Sequence, residues 1–62
     1  MDTTATALNL MAYAARNGYA SAVELLEGYI EDRLTVGSRI AVRVLLAGAD
    51  AEDMQEWLAD NE

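Results

Sequence analysis

The chain has 62 residues, 53% of them hydrophobic, and a net charge of −7 from eleven acidic residues and four basic ones. This length predicts one small domain over residues 1–62, and the hydrophobic content argues against intrinsic disorder. Because the chain has neither cysteine nor histidine, disulfides and most metal sites are excluded as sources of stability, so we expect self-association or a partner to supply it.

The first predicted element is a helix over residues 4–16. Asp2 and the two threonines after it are possible N-caps, and the alanine-rich segment that follows has high helix propensity. Gly18 should end this helix, since glycine tolerates the left-handed conformation of a helix C-cap, and Tyr19 should fold back onto the last turn. We therefore expect a tight connection to a second helix.

The second predicted helix, over residues 20–34, is the element around which the other segments must pack. Ser21 and Glu24 match a capping box, in which each side chain bonds the backbone N–H of the other residue. Apolar residues follow at three- and four-residue spacing, which predicts one buried stripe with acidic residues on another face. The acidic residues of that face are Glu24, Glu27 and Glu31.

Gly28 is an unusual residue for the interior of this helix, because glycine there costs about 1 kcal/mol relative to alanine. Two interpretations remain open. The glycine is either tolerated sequence drift or a point of close helix approach, for example across a dimer interface.

The first half of the chain resembles one ankyrin repeat. The matching pieces are Thr6-Ala7-Leu8-Asn9-Leu10 and Ala14-Ala15-Arg16-Asn17-Gly18, followed by Val23, Leu25 and Leu26. Three extra residues separate the two pieces, the proline and histidine of that family are missing, and a repeat fold needs at least three units. The resemblance therefore implies only two helices joined at a glycine.

The sequence of residues 33–48 is compatible with two structures. Apolar residues alternate on either side of Gly37-Ser38, which predicts a β-hairpin over residues 34–44. Alternatively, Ser38 is an N-cap and Gly48 a C-cap of a helix over residues 38–47. We favour the helix, because the two strands would have no third strand to pair with.

If this segment is a helix, its sequence predicts a basic patch and an apolar face. Arg39 and Arg43 lie one turn apart and form a basic patch. The predicted apolar face of this helix consists of Ile40, Ala41, Val44 and Leu45.

A last helix is predicted over residues 50–60, with Asp50 as its N-cap and Asp53 at the third helical position. Residues 50–62 contain six acids and no base, a local charge of −6, whereas residues 1–49 contain five acids and four arginines, a charge of −1. Acids in the first turn suit the helix dipole, but those at the far end do not. Helix stability therefore explains only part of this charge pattern.

Together these elements predict an all-α fold, a compact bundle of about four short helices. Without histidine, cysteine or lysine the chain has no ordinary general base, thiolate or amine nucleophile, so we expect no catalytic residue. The acids that follow residue 49 lack the glycine and alternating oxygens of an EF-hand loop. We therefore expect a solvated acidic face and no metal or other cofactor.

The composition also restricts the class of partner and the compartment. Four arginines against eleven acids argue against direct nucleic-acid binding. No apolar run approaches the roughly 18 residues of a membrane span, so we expect no membrane insertion. The N-terminus lacks a basic region followed by an apolar one, which makes the cytoplasm the expected compartment.

The functional hypothesis is a non-catalytic acidic interaction module that docks on a larger basic protein that handles nucleic acid. It would be a small regulator or inhibitor of the phage or mobile-element type, and by occupying a basic groove it would mimic nucleic acid. Its affinity should fall as salt rises. The predicted docking residues are Glu24, Glu27, Glu31, Asp50, Glu52, Asp53 and Glu56.

The alternative hypothesis is a structural or assembly protein that forms a homodimer without a foreign partner. Tyrosines are frequent hot-spot residues, and a glycine permits close approach of two helices. The association should then depend little on salt. The predicted interface residues are Tyr13, Gly28, Tyr29, Arg39 and Arg43.

Overall fold

Four helices form the fold of the chain, for which a computed structural model describes residues 3–60. They are α1 (Thr3–Arg16), α2 (Ala20–Ile30), α3 (Val36–Gly48) and α4 (Ala51–Asp60). Within the described residues there is no strand, so the all-α prediction is confirmed and the β-hairpin alternative over residues 34–44 is excluded. The other three helices all pack against α1, and α2 does so most extensively.

The core lies between the four helices and is built from aliphatic side chains. Three alanines on α1 and α2 are almost inaccessible, and small side chains of this kind allow close packing of the two helices. No polar or charged side chain of residues 3–60 is buried. The buried hydrophobic residues among 3–60 are Ala7, Leu10, Ala14, Ala22, Leu26, Val42, Leu46, Met54 and Leu58.

The predicted end of the first helix at Gly18 is confirmed. Gly18 has φ +74°, and its N–H donates to the Ala15 carbonyl at 3.2 Å. The Tyr19 N–H donates to the Ala14 carbonyl at 2.9 Å, which completes a Schellman motif. The Tyr19 ring packs edge-on against Tyr13, with ring centroids 6.4 Å apart. This turn directs α2 back along α1.

The start of α2 differs from the prediction. Its N-cap is Tyr19, which makes no side-chain capping bond, and Ser21 already lies inside the helix. The capping box predicted from Ser21 and Glu24 is therefore wrong. The physical reason is the preceding turn, because the hydrogen bond and ring contact of Tyr19 fix where the chain enters the helix.

The end of α2 also differs, since the helix stops at Ile30 and not at residue 34. Asp32 has φ +58°, and its N–H donates to the Tyr29 carbonyl at 3.3 Å. The Arg33 N–H donates to the Gly28 carbonyl at 2.8 Å. This is a second Schellman motif, in which aspartate occupies the position that glycine usually takes.

Leu34 leaves the helix at this turn and folds back over Gly28. A Cβ atom placed on Gly28 would lie 2.9 Å from Leu34 Cδ2 and 3.4 Å from Leu34 Cγ. The missing side chain at residue 28 therefore makes room for a leucine of the same chain.

The predicted N-cap of α3 is wrong, and the predicted N-cap of α4 is confirmed. Thr35, and not Ser38, caps α3, and its Oγ1 accepts a hydrogen bond from the Ser38 N–H at 3.3 Å. For α4, Asp50 Oδ1 accepts from the Asp53 N–H at 2.8 Å, which confirms the predicted cap.

The buried face of α3 is not the predicted one. Val42 and Leu46 are buried and Leu45 is half-buried, whereas Ile40, Ala41 and Val44 are exposed. Because α3 is apolar on both sides, either face satisfies the periodicity, and packing against α1 and α2 selects the face of Val42 and Leu46.

Candidate functional site

The outer face of α4 is predominantly acidic. It lies opposite Met54 and Leu58, which anchor the helix in the core. All of its carboxylate side chains are exposed, and none of them forms an ion pair with another residue in the range 3–60. This acidic face of α4 consists of Glu52, Asp53, Glu56 and Asp60.

Asp60 is a member of this face that the sequence-based selection of docking residues omitted. The four-residue steps from Glu52 to Glu56 to Asp60 place all three carboxylates on one side of a helix. That spacing is visible in the sequence. Asp50, which the selection included, instead uses one carboxylate oxygen to cap the helix.

The outer face of α2 carries the second group of predicted acids. Glu24 and Glu27 are exposed there, and Glu31 is exposed directly after the last residue of the helix. Arg33 lies 3.4 Å from Glu27 Oε1 and 3.4 Å from Glu31 Oε1, because the turn at Asp32 brings the arginine back beside the helix. Two of these three charges are therefore partly neutralised within the chain, in contrast to the acidic face of α4.

The two acidic groups remain separate in the fold. Each helix packs on α1, while α2 and α4 make little contact with each other. In the described part of the chain no three acidic residues lie close enough together to hold a metal ion. A partner would therefore meet two distinct acidic surfaces.

The predicted basic patch lines an open cleft of about 420 Å³. Arg39 and Arg43 line the cleft together with Tyr29, whose hydroxyl shares a hydrogen bond of 3.0 Å with Thr3 Oγ1. Arg39 Nη1 contacts Asp32 Oδ1 at 2.9 Å, so Arg39 pairs within its own chain. Arg43 forms no ion pair with any residue from 3 to 60.

The other predicted interface residues take part in packing within the chain. Gly28 is buried beneath Leu34, so a contact between copies at this glycine would require displacement of Leu34. Tyr13 and Tyr29 are half-buried, one against Tyr19 and the other bonded to the first turn of α1.

An exposed apolar surface lies on α3, on the side opposite its buried face. Val36, Ile40 and Val44 are 76%, 55% and 66% exposed. Their four-residue spacing aligns them along one side of the helix. These three residues, called the outer face of α3 below, were missed as a surface because Ile40 and Val44 were assigned to the core.

No helix within residues 3–60 combines the length and apolar character needed to cross a bilayer. Comparison of the chain with protein-family models, curated protein sequences and solved structures finds no match. The function is therefore inferred from the chemistry of the surfaces described above.

Proposed function

We propose that the chain is a non-catalytic acidic interaction module that docks, mainly through the acidic face of α4, on a basic surface of a larger protein. The observation that carries this proposal is a helix face with four exposed carboxylates and no arginine paired to them among residues 3–60. Complementary charge across an interface speeds association and selects the partner.

The charge spacing on α4 supports a narrower proposal. Glu52 and Asp60 are separated by eight residues, which is about 12 Å at a rise of 1.5 Å per residue. The four carboxylates over that length have a mean spacing of about 4 Å along the axis, close to the roughly 3.4 Å rise per phosphate along one DNA strand. The partner in this proposal is a nucleic-acid-handling protein, and the chain is a small regulator or inhibitor of the phage or mobile-element type that occupies its basic groove.

The surroundings of the two acidic surfaces favour α4 over α2 as the main docking surface. On α2, Arg33 already contacts Glu27 and Glu31. A partner's arginine would compete with Arg33 there, whereas no arginine within residues 3–60 pairs with the acids of α4. Exposed ion pairs are weak individually, about 0.2–1 kcal/mol each, so several must form together to give useful affinity.

Two matched triple variants test this proposal. One removes three of the four charges on the acidic face of α4 (Glu52→Gln, Asp53→Asn, Glu56→Gln), and the other removes the three acids of the α2 surface (Glu24→Gln, Glu27→Gln, Glu31→Gln). Each removes three negative charges, so non-specific attraction to a basic molecule falls equally in both. The probe is a short arginine-rich peptide, and the measurement is fluorescence anisotropy over a salt series, with circular dichroism to verify the fold.

We expect the α4 variant to bind about tenfold more weakly than wild type, because three exposed ion pairs are lost. The α2 variant should lose less affinity for the peptide than the α4 variant does. The affinity of the wild type should fall as the salt concentration rises. Equal losses in the two variants would contradict docking through α4, since only total charge would then matter.

A further inference from the structure

The outer face of α3 is the part of the fold whose chemistry least suits contact with water. Ten of the thirteen residues of α3 are exposed, and the large ones on its outer face are aliphatic. The outer faces of α2 and α4, by contrast, carry acids. A helix that is apolar on both sides is normally covered on both sides, whereas scattered single apolar residues on a surface are ordinary.

We propose that the outer face of α3 is covered by the same face of a second copy of the chain. The spacing of its side chains is symmetric about Ile40, with one valine a turn before it and one a turn after it. An antiparallel pair of α3 helices centred on Ile40 therefore sets Val36 of each copy against Val44 of the other. This is the self-complementary pattern that a two-fold dimer interface requires.

The charges beside this face fit the same arrangement. Arg39 and Arg43 lie on one flank of α3, and Asp32 is bound to Arg39 near the start of the helix. The two-fold axis of an antiparallel pair lies in the interface plane, perpendicular to the helices, and keeps this flank on the same side in both copies. Arg43, which has no ion pair among residues 3–60, then comes beside the Arg39–Asp32 pair of the second copy, where Asp32 can accept from both arginines.

The charge distribution also favours α3 over α2 and α4 as the helix through which two copies meet. The segment from Val36 to Gly48 contains two arginines and no acid, and the carboxylate of Asp32 lies beside these arginines in the antiparallel pair. Two copies that approached through α2 or α4 would instead set carboxylates against carboxylates. This inference concerns a different surface from the acidic face of α4 and does not depend on the proposed function.

The area available predicts a dimer of moderate affinity. A standard interface buries about 800 Å² on each partner, which is about a fifth of the 4045 Å² of accessible surface of the chain. One face of one helix supplies only part of that area. We therefore expect a dissociation constant in the micromolar range and not the nanomolar range.

The first experiment is sedimentation equilibrium over a concentration series, with the wild type compared to Ile40→Glu and to Leu8→Glu. Leu8 is a matched control, since it is a large exposed aliphatic residue, 49% exposed, on α1. The wild type and Leu8→Glu should approach twice the monomer mass. Ile40→Glu should raise the dissociation constant by about 100-fold, because an unpaired carboxylate would be buried at the centre of the contact.

Salt distinguishes this dimer from docking on a basic partner. Each copy carries a net charge of −7, so two copies repel each other. Because salt screens this repulsion, the dissociation constant of the dimer should fall as the salt concentration rises. A monomer at every concentration, or a dimer that survives Ile40→Glu, would overturn the proposal, whatever the outcome for the acidic face of α4.

A second experiment uses the absence of native cysteine to test the register. Ile40→Cys places one thiol at the two-fold axis, so mild oxidation should give a covalent dimer. Val36→Cys should not cross-link to itself, but it should cross-link when mixed with Val44→Cys. Efficient self-cross-linking of Val36→Cys would indicate parallel helices and would overturn the antiparallel arrangement.

Discussion

Asp32 ends α2 in a backbone conformation that glycine adopts at lower cost than aspartate. Its φ is +58°, in the left-handed region, and it occupies the position in its turn that Gly18, at φ +74°, occupies at the end of α1. The left-handed conformation costs an ordinary L-residue about 1–2 kcal/mol, and aspartate somewhat less. We therefore predict that Asp32→Gly raises the free energy of unfolding.

The size of the gain depends on the ion pair that this substitution removes. The Asp32 carboxylate and the Arg39 guanidinium are 2.9 Å apart, with side chains 67% and 54% exposed. Exposed pairs of this kind contribute about 0.2–1 kcal/mol, less than the backbone contribution. We expect a net gain of about 0.5 kcal/mol for Asp32→Gly. Asp32→Asn should lose a few tenths of a kcal/mol, and Asp32→Ala about 1 kcal/mol.

Urea denaturation followed by circular dichroism measures these differences. All variants should be compared at one protein concentration, because self-association would add to the apparent stability. Gly18→Ala is the control for the backbone contribution. A Cβ atom at Gly18 would meet nothing within 4 Å, so its expected loss of about 1 kcal/mol comes from the conformation alone. If Asp32→Gly is less stable than Asp32→Asn, the left-handed conformation does not limit stability at this turn.

Three further substitutions, one of them repeated in a second background, test the packing and the N-cap of α3. Leu26→Ala should lower the free energy of unfolding by about 2–5 kcal/mol, since Leu26 is fully buried, and thermal denaturation should show a large fall in the midpoint. Thr35→Ala should cost about 1 kcal/mol by loss of the α3 cap, and an unchanged urea midpoint would refute the cap. Gly28→Ala should be nearly neutral in the wild type, because the helix-propensity gain is offset by contact with Leu34. In a Leu34→Ala background it should stabilise by about 1 kcal/mol, and equal effects in both backgrounds would show that Leu34 does not cover Gly28.

The features predicted correctly from the sequence depend on local chemistry. Gly18 ends a helix through its own backbone preference, and Asp50 begins one through a hydrogen bond to a residue three positions away. Each therefore marks a helix terminus in the sequence. The end of α2 was missed because aspartate in a left-handed turn gives a much weaker signal than glycine. The capping box at Ser21 was predicted from a valid pattern, but the turn at Gly18 had already set the start of the helix.

The surfaces were predictable where the two sides of a helix differ in chemistry. On α2 and α4 the acids lie outside and the aliphatic residues inside, as periodicity indicates. On α3 both sides are apolar, so periodicity gave no basis for choosing between Val42 and Ile40 as the buried residue. The pairing of Arg33 with two acids of α2 depends on the turn at Asp32, and it could not be predicted without that turn.

The most direct test of docking through α4 is to titrate the isotope-labelled protein with an arginine-rich peptide and record amide chemical shifts by NMR. The acidic face of α4 and the outer face of α3 share no residue, so the titration separates docking at α4 from contacts at α3. We predict that the shifts concentrate on residues 52–60 and diminish when salt is added. Shifts of equal size on residues 24–31, or shifts confined to α3, would contradict docking through the acidic face of α4.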